Sequence, residues 1–248
     1  MTTCKAGGFS RGIKMKRIGL IIGILLFVSC SELQQVVNQL PTGTTALGNE
    51  EIGNGLRAAL DKGISEQVSR LTQTDGFFKN DLVKILLPEE LRKVDKTLRD
   101  IGLGNLADEG LKVLNRAAED AVSEATPIFV NVVREISFND AKAILLGDDQ
   151  AATTYLKNST TAELYAKFNP VIKSSFEKVG ADKVWSSLIN RYNAIPLTSK
   201  VNPDLTDYVT QEALEGVYTM IAVEEKDIRT KASSRTTDVL RKVFALQD

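Results

Sequence analysis

The chain contains no histidine and two cysteines, Cys4 and Cys30, among 248 residues. Without an imidazole, neither a Ser-His-Asp nor a Cys-His arrangement can take a proton from its nucleophile. The common zinc sites and haem or iron–sulfur ligation lose their donors for the same reason. With Cys30 placed in an acylation motif described below, no thiol pair remains for a disulfide framework. Aromatic residues make up 6%, too few to line a sugar-stacking groove. Neither G-x-x-x-x-G-K-[ST] nor G-x-G-x-x-G occurs, which removes two phosphate-cradling loops. Cofactors are therefore expected to be none.

What is present begins at Met15-Lys16-Arg17, followed by an apolar run from Ile18 to Val28 and then Ser29-Cys30. A run of this length suits the core of a signal peptide, about 7–15 residues. It is too short for a spanning helix, which needs about 20. Lys14, Lys16 and Arg17 lie on the side that stays cytoplasmic. Residues 1–29 are read as the signal peptide, with Met15 as the more natural start. Val28, Ser29 and Cys30 resemble the bacterial lipobox, although Phe27 stands where leucine is usual. The resemblance implies a diacylglycerol on Cys30, and two or more chains hold a protein stably. Ser31 is not the aspartate of the inner-membrane retention rule, so the expected location is the periplasmic side of the outer membrane. A soluble periplasmic protein, cut by an ordinary secretory signal, is the alternative.

Cleavage before Cys30 removes Lys5, Arg11, Lys14, Lys16 and Arg17 and no acid, taking the net charge from −1 to −6. A mildly acidic body argues against nucleic acid, which needs a clustered basic footprint. It also lacks a polybasic patch for anionic lipid. Expected partners are the membrane, through the anchor, and an envelope protein; no small-molecule ligand can be named.

Residues 30–48 are polar, with Pro41, and read as a spacer. Residues 49–248 show helical period and no sustained alternation, so the fold class expected is all-α: a single multi-helix bundle-like domain after signal and spacer. Ile52, Leu56, Leu60, Ile64, Val68 and Leu71 form one apolar stripe, stopped by Thr74-Asp75-Gly76. An irregular stretch reaches Pro88, which opens a helix closed by Gly102. Leu111, Leu114, Ala118, Val122 and Ala125 make a small-residue stripe suited to close packing. Ser137-x-x-Asp140 and Thr160-x-x-Glu163 read as capping boxes. The latter leads to Leu164, Phe168, Ile172, Phe176 and Val179, with Pro170 expected to kink or divide the helix. Later stripes carry Val184, Trp185, Leu188, Ile189 and Tyr192, then Leu205 to Ile228, then Val239, Leu240, Val243 and Phe244.

Candidate chemistry is weak throughout. Asp148-Asp149, Asp204 with Asp207, and Glu224-Glu225 could bind a cation, but no window matches a calcium loop. Asp148 and Asp204 stand where N-caps belong, and Glu224-Glu225-Lys226-Asp227 reads as a solvated face. Ser233-Ser234 near Lys231 and Ser186-Ser187 after Lys183 lack the S-x-x-K spacing, and Ser174-Ser175 near Lys178 offers it only as an isolated Ser175-x-x-Lys178, with no accompanying S-D-N or K-T-G string. Trp185 and Tyr192 fit a core better than a sugar platform. Catalytic, cofactor and metal residues are expected to be none, and Cys30 is the one residue given a chemical role.

The strings TDGFFKN (74–80), LPEELRKVDKTLRDIG (87–102), LNRAAEDAV (114–122), DAKAILLGDDQAAT (140–153), NPDLTDYVTQEAL (202–214) and RTTDVLRKVF (235–244) closely resemble the bacterial family catalogued as domain of unknown function 4197. The resemblance implies an exported, often lipid-anchored helical protein and transfers no activity or site residue. The family's usual KIPLP is KILLP here, at 84–88. The favoured function is a tethered structural or interaction protein of the cell envelope. The alternatives are a binder of an apolar small molecule or lipid, with 111–125 as a cavity wall, and a carboxylate-dependent envelope hydrolase.

Overall fold

The computed structural model describes residues 48–245 except 101, 103, 195, 197–199, 201 and 203. Within helices it leaves out the side chains of 49, 90, 94, 97, 98, 106, 107, 182, 184, 187, 188, 191 and 192. The signal peptide, Met15, Cys30 and most of the spacer lie outside the described residues, as do the side chains of Val94, Leu98, Val184, Leu188 and Tyr192.

Among the described residues there are nine α-helices: α1 Asn49–Leu71, α2 Glu89–Asp100, α3 Gly104–Val122, α4 Ala125–Glu135, α5 Phe138–Leu145, α6 Ala151–Val179, α7 Ala181–Asn193, α8 Thr206–Thr230 and α9 Asp238–Phe244. A 3-10 turn, Ala232–Ser234, lies between the last two. The long pair α6 and α8 forms the spine, with α3 packed against both. On another side, α1 touches α4, α5, α8 and α9. This is the all-α single domain expected from the stripes.

The stripe of α1 faces inward: Leu56, Ile64, Val68 and Leu71 are buried. The helix ends at Leu71, and the chain then reverses through Asp75, which takes a left-handed conformation, φ 68°. At Gly76 any Cβ would come within 2.5 Å of the Arg70 carbonyl oxygen, so only glycine lets the chain turn so tightly. The small-residue helix α3 buries Leu114, Ala117, Ala118 and Ala121. It packs against α6 and α8. Phe129 of α4 meets the Tyr218 ring edge to face, centroids 6.2 Å apart.

Two capping expectations part ways. Ser137 caps α5: its Oγ accepts from the Asp140 amide at 3.1 Å and donates to Asp140 Oδ2 at 2.6 Å. The Asp140 carboxylate thus meets the capping hydroxyl itself, and the box is capped from one side only. Thr160 caps nothing, because α6 runs unbroken from Ala151 to Val179. Its hydroxyl lies in the helix interior, bonded back to the Leu156 carbonyl at 2.7 Å and paired with Tyr218 Oη at 2.7 Å. Pro170 does not divide α6 either. It is exposed, and Phe168 and Ile172 on its two sides are fully buried, so packing holds the helix across the missing hydrogen bond. Val179 and Val239 fall outside the buried stripes, 62% and 45% exposed.

The stretch 84–88 has no regular secondary structure, and its apolar run alternates: Ile85 and Leu87 are buried, Leu86 exposed. Three apolar residues in a row thus fit a one-sided core contact.

Candidate functional site

The chemically richest interior position is Glu225 on α8, which the sequence places on a solvated face and the structure buries, 7% exposed. Its Oε1 accepts from the Ala152 amide at 2.9 Å, and its Oε2 from the Thr153 amide and hydroxyl, each at 2.8 Å. These amides are the orphan donors at the start of α6, whose own N-cap, Gln150, makes no side-chain bond. Asp148 lies two residues too early; its Oδ1 accepts from the Gln150 amide at 2.9 Å. A carboxylate from a distant helix therefore does the capping, in the field of the α6 dipole.

Arg229, one turn along α8, donates Nε and Nη2 to Glu225 Oε1 at 3.0 and 2.8 Å. Its Nη1 and Nη2 reach the Leu145 and Ile144 carbonyls at the end of α5, at 3.0 and 2.8 Å. One buried ion pair thus satisfies the end of α5 and the start of α6 together. Arg235 does the same for α8, donating to the Ile228 and Arg229 carbonyls at 3.0 and 2.9 Å. Beside the pair is a cavity of about 30 Å³ lined by Leu56, Leu60, Ile221, Ile228 and Phe244. That is room for a water molecule, not an organic ligand.

A second node holds the 74–88 stretch. Glu119 of α3 accepts from the Asp75 and Phe77 amides at 3.3 and 3.1 Å, and from Arg116 Nη1 at 2.7 Å. Arg116 Nη2 also reaches Asp75 Oδ1 at 2.6 Å, and Lys79 pairs with Asp75 Oδ2 at 2.7 Å. Hydrogen bonding from Lys79, with the charges of Lys79, Arg116 and Lys112, holds the Asp75 carboxyl below its usual range. Asn115, fully buried, accepts from the Ile85 amide at 2.8 Å and donates to the Ile85 carbonyl at 2.9 Å. Its side chain thus satisfies both backbone groups of Ile85, as a neighbouring strand would.

One open cleft, about 410 Å³, lies between the start of α6 and the middle of α8, lined by Thr153, Lys157, Glu215 and Tyr218; two more lie around the start of α8. The first of these two, about 230 Å³, has Phe176, Trp185 and Leu205 in its floor and Lys173, Glu177, Ser186 and Asp204 around it. A second, about 280 Å³, shares Asp204 and Leu205 and adds Pro88, Lys200, Asp207, Tyr208 and Gln211. Trp185 sits this deep because Gly110 lets it: a Cβ there would stand 2.5 Å from Trp185 Cζ2. Asp204 Oδ1 accepts from the Thr206 amide at 2.9 Å, so it acts at the helix start as expected, one residue before the N-cap. Those bonds to Thr206 keep its carboxyl below the ordinary range. A general acid needs the opposite shift. Asp207 is occupied by Tyr165 Oη at 2.5 Å and Gln211 Nε2 at 2.9 Å.

The remaining sequence candidates do not converge. Ser233 and Ser234 sit in the 3-10 turn, while Lys231 pairs with Asp227 at 2.7 Å. Ser175 donates to Asp120 at 2.8 Å. Asp149 is exposed, and Glu224 accepts from Gln67 Nε2 at 2.8 Å. Among the described residues no group of three or more acidic or cysteine side chains could hold a metal ion. No described helix is long and apolar enough to cross a membrane. The signal for the missed pair was the Glu225–Arg229 spacing of four, which also fits a surface pair; only burial distinguishes them.

Fold and site together define an all-α domain whose interior ionic groups hold helix ends and a loop. Residues 46–245 match the family model described as Protein of unknown function (DUF4197), and the chain belongs to that family. No curated protein and no solved structure matches the chain.

Proposed function

We propose that the protein is a lipid-anchored helical protein of the cell envelope, tethered through Cys30 to the periplasmic side of the outer membrane, with a structural or interaction role. The observation that carries the interaction role is how the ionisable interior is used. Glu119, Glu225, Arg229 and Arg235 all bond to backbone groups of neighbouring elements. Such groups rigidify a body and leave recognition to its surface, where the clefts at the start of α8 lie. The anchor rests on the Lys16-Arg17, Ile18–Val28 and Ser29-Cys30 arrangement.

The test has two arms. Cys30→Ser should block processing or shift the protein from the membrane to the soluble periplasmic fraction; unchanged fractionation removes the anchor. Cross-linking in intact envelopes should recover a defined partner, and a body that cross-links to nothing removes the interaction role.

A further inference from the structure

We propose that the paired clefts at the start of α8 bind a short peptide segment in which a lysine or arginine follows an apolar residue. The inference rests on the interaction role above and names the chemistry of the partner. The two clefts, about 230 and 280 Å³, meet at Asp204 and Leu205. Together they come into the range of pockets that hold small ligands, about 300–1,000 Å³, and each alone takes about one side chain.

The two lobes differ in character. The first has Phe176, Trp185 and Leu205 in its floor, an apolar surface for an aliphatic side chain. The second is flanked by two carboxylates, Asp204 and Asp207, with Lys200 the cation at its edge. Asp204 stands where the lobes join and already carries two hydrogen-bonding duties to Thr206, which keep it ionised. Asp207 is likewise oriented, by Tyr165 and Gln211. Fixed carboxylates aimed by their own partners lose little entropy when a cation arrives, and bonds to a guanidinium or ammonium are the strong kind. Lys173 and Glu177 both line the first lobe, and two carboxylates and Lys200 line the second, so charge alone does not order the two side chains. The apolar floor of the first lobe, formed by Phe176, Trp185 and Leu205, assigns it to the aliphatic side chain and leaves the cation to the second.

Trp185 is the single tryptophan of the chain and lies in the floor of the apolar lobe, so its emission reports occupancy. The full-length protein, purified in detergent with its anchor, is titrated with acetyl-Ala-Leu-Lys-Ala-amide. The expected result is a saturable change in Trp185 emission. Asp204→Asn keeps an oxygen for the Thr206 amide and loses the charge. It should weaken binding about tenfold or more, the loss of one hydrogen bond to a charged group. Asp207→Asn should weaken it in the same direction, and serves if Asp204→Asn perturbs the start of α8. Ser186→Phe, which fills the apolar lobe, should abolish the response. Equal binding of the Glu-for-Lys peptide overturns the proposal, as does equal binding of 1,4-diaminobutane or affinity unchanged in both aspartate variants. Because the peptide is tested away from the envelope, failure here leaves fractionation and cross-linking unaffected.

Discussion

Glu225→Ala removes the acceptor of two backbone amides, one hydroxyl and two guanidinium donors at once. The methyl group that remains cannot replace any of them. Arg229 keeps the Ile144 and Leu145 carbonyls but loses its counter-charge while still buried. Breaking a buried pair from one side costs about 3–5 kcal/mol, most of it the penalty for the charge left behind. Each orphaned amide is worth about 1–3 kcal/mol if water cannot reach it. Water entering the space left by the side chain relieves part of this, so the expected loss is about 3–5 kcal/mol. For a domain of this size that is a fall in Tm of roughly 6–20 °C. Glu225→Gln keeps one acceptor oxygen and should lose about half as much, which covers the case in which the alanine variant does not fold. Urea unfolding followed by circular dichroism measures both. The second half of the test is a cycle with Arg229→Met. If the pair acts as a unit, Glu225→Leu with Arg229→Met costs at least about 2 kcal/mol less than the two singles together. A loss below about 1 kcal/mol for Glu225→Ala, or strict additivity in the cycle, would refute the reading of Glu225 as the cap of α6.

Other positions give sharper signs. Leu86→Pro should be tolerated and add about 0.4–1 kcal/mol in urea unfolding, because the Leu86 amide has no protein partner and Ile85 before it lies outside any helix; a loss above 1 kcal/mol shows that the amide is used. Gly55→Ala should destabilise by about 1–3 kcal/mol despite alanine's better helix propensity, since the new Cβ would overlap Cγ2 of the buried Val243, and amide exchange should rise first in α9. Asp75 and Asp204 have folded-state pKa values below their unfolded values. The stability they add is therefore present above about pH 4 and lost as the pH falls through the folded pKa. Asp75→Asn, which tolerates the left-handed backbone, should flatten that part of the pH–stability curve; an unchanged slope between about pH 2 and 5 removes the assignment.

Helices announced themselves where one face is buried along its whole length. The stripe of α1 and the cap Ser137 could be read in advance because each depends on residues within a turn of one another. The misreadings share a cause. Thr160 satisfies the local pattern of a cap but lies ten residues inside a helix whose start is capped from α8. Glu225 has a neighbourhood typical of a solvated face, and only the meeting of α5, α6 and α8 withdraws it from water. Nor does any local signal mark Asn115 as the partner of Ile85, 30 residues away.

The strings that carry the family resemblance nonetheless coincide with these nodes. TDGFFKN and LNRAAEDAV meet through Glu119 and Arg116. GDDQAAT contains the amides that Glu225 caps, and RTTDVLRKVF opens with the buried Arg235. By itself the sequence determined the helical class, the missing chemistries and the positions of most chain reversals, because periodicity, composition and turn residues are local properties. Tertiary structure alone decided which charges are buried, which helix ends they satisfy and where Asp204, Trp185 and Tyr208 come together. The physical reason is that burial and long-range hydrogen bonds belong to pairs of segments, and a pair far apart in the chain leaves no mark on either member.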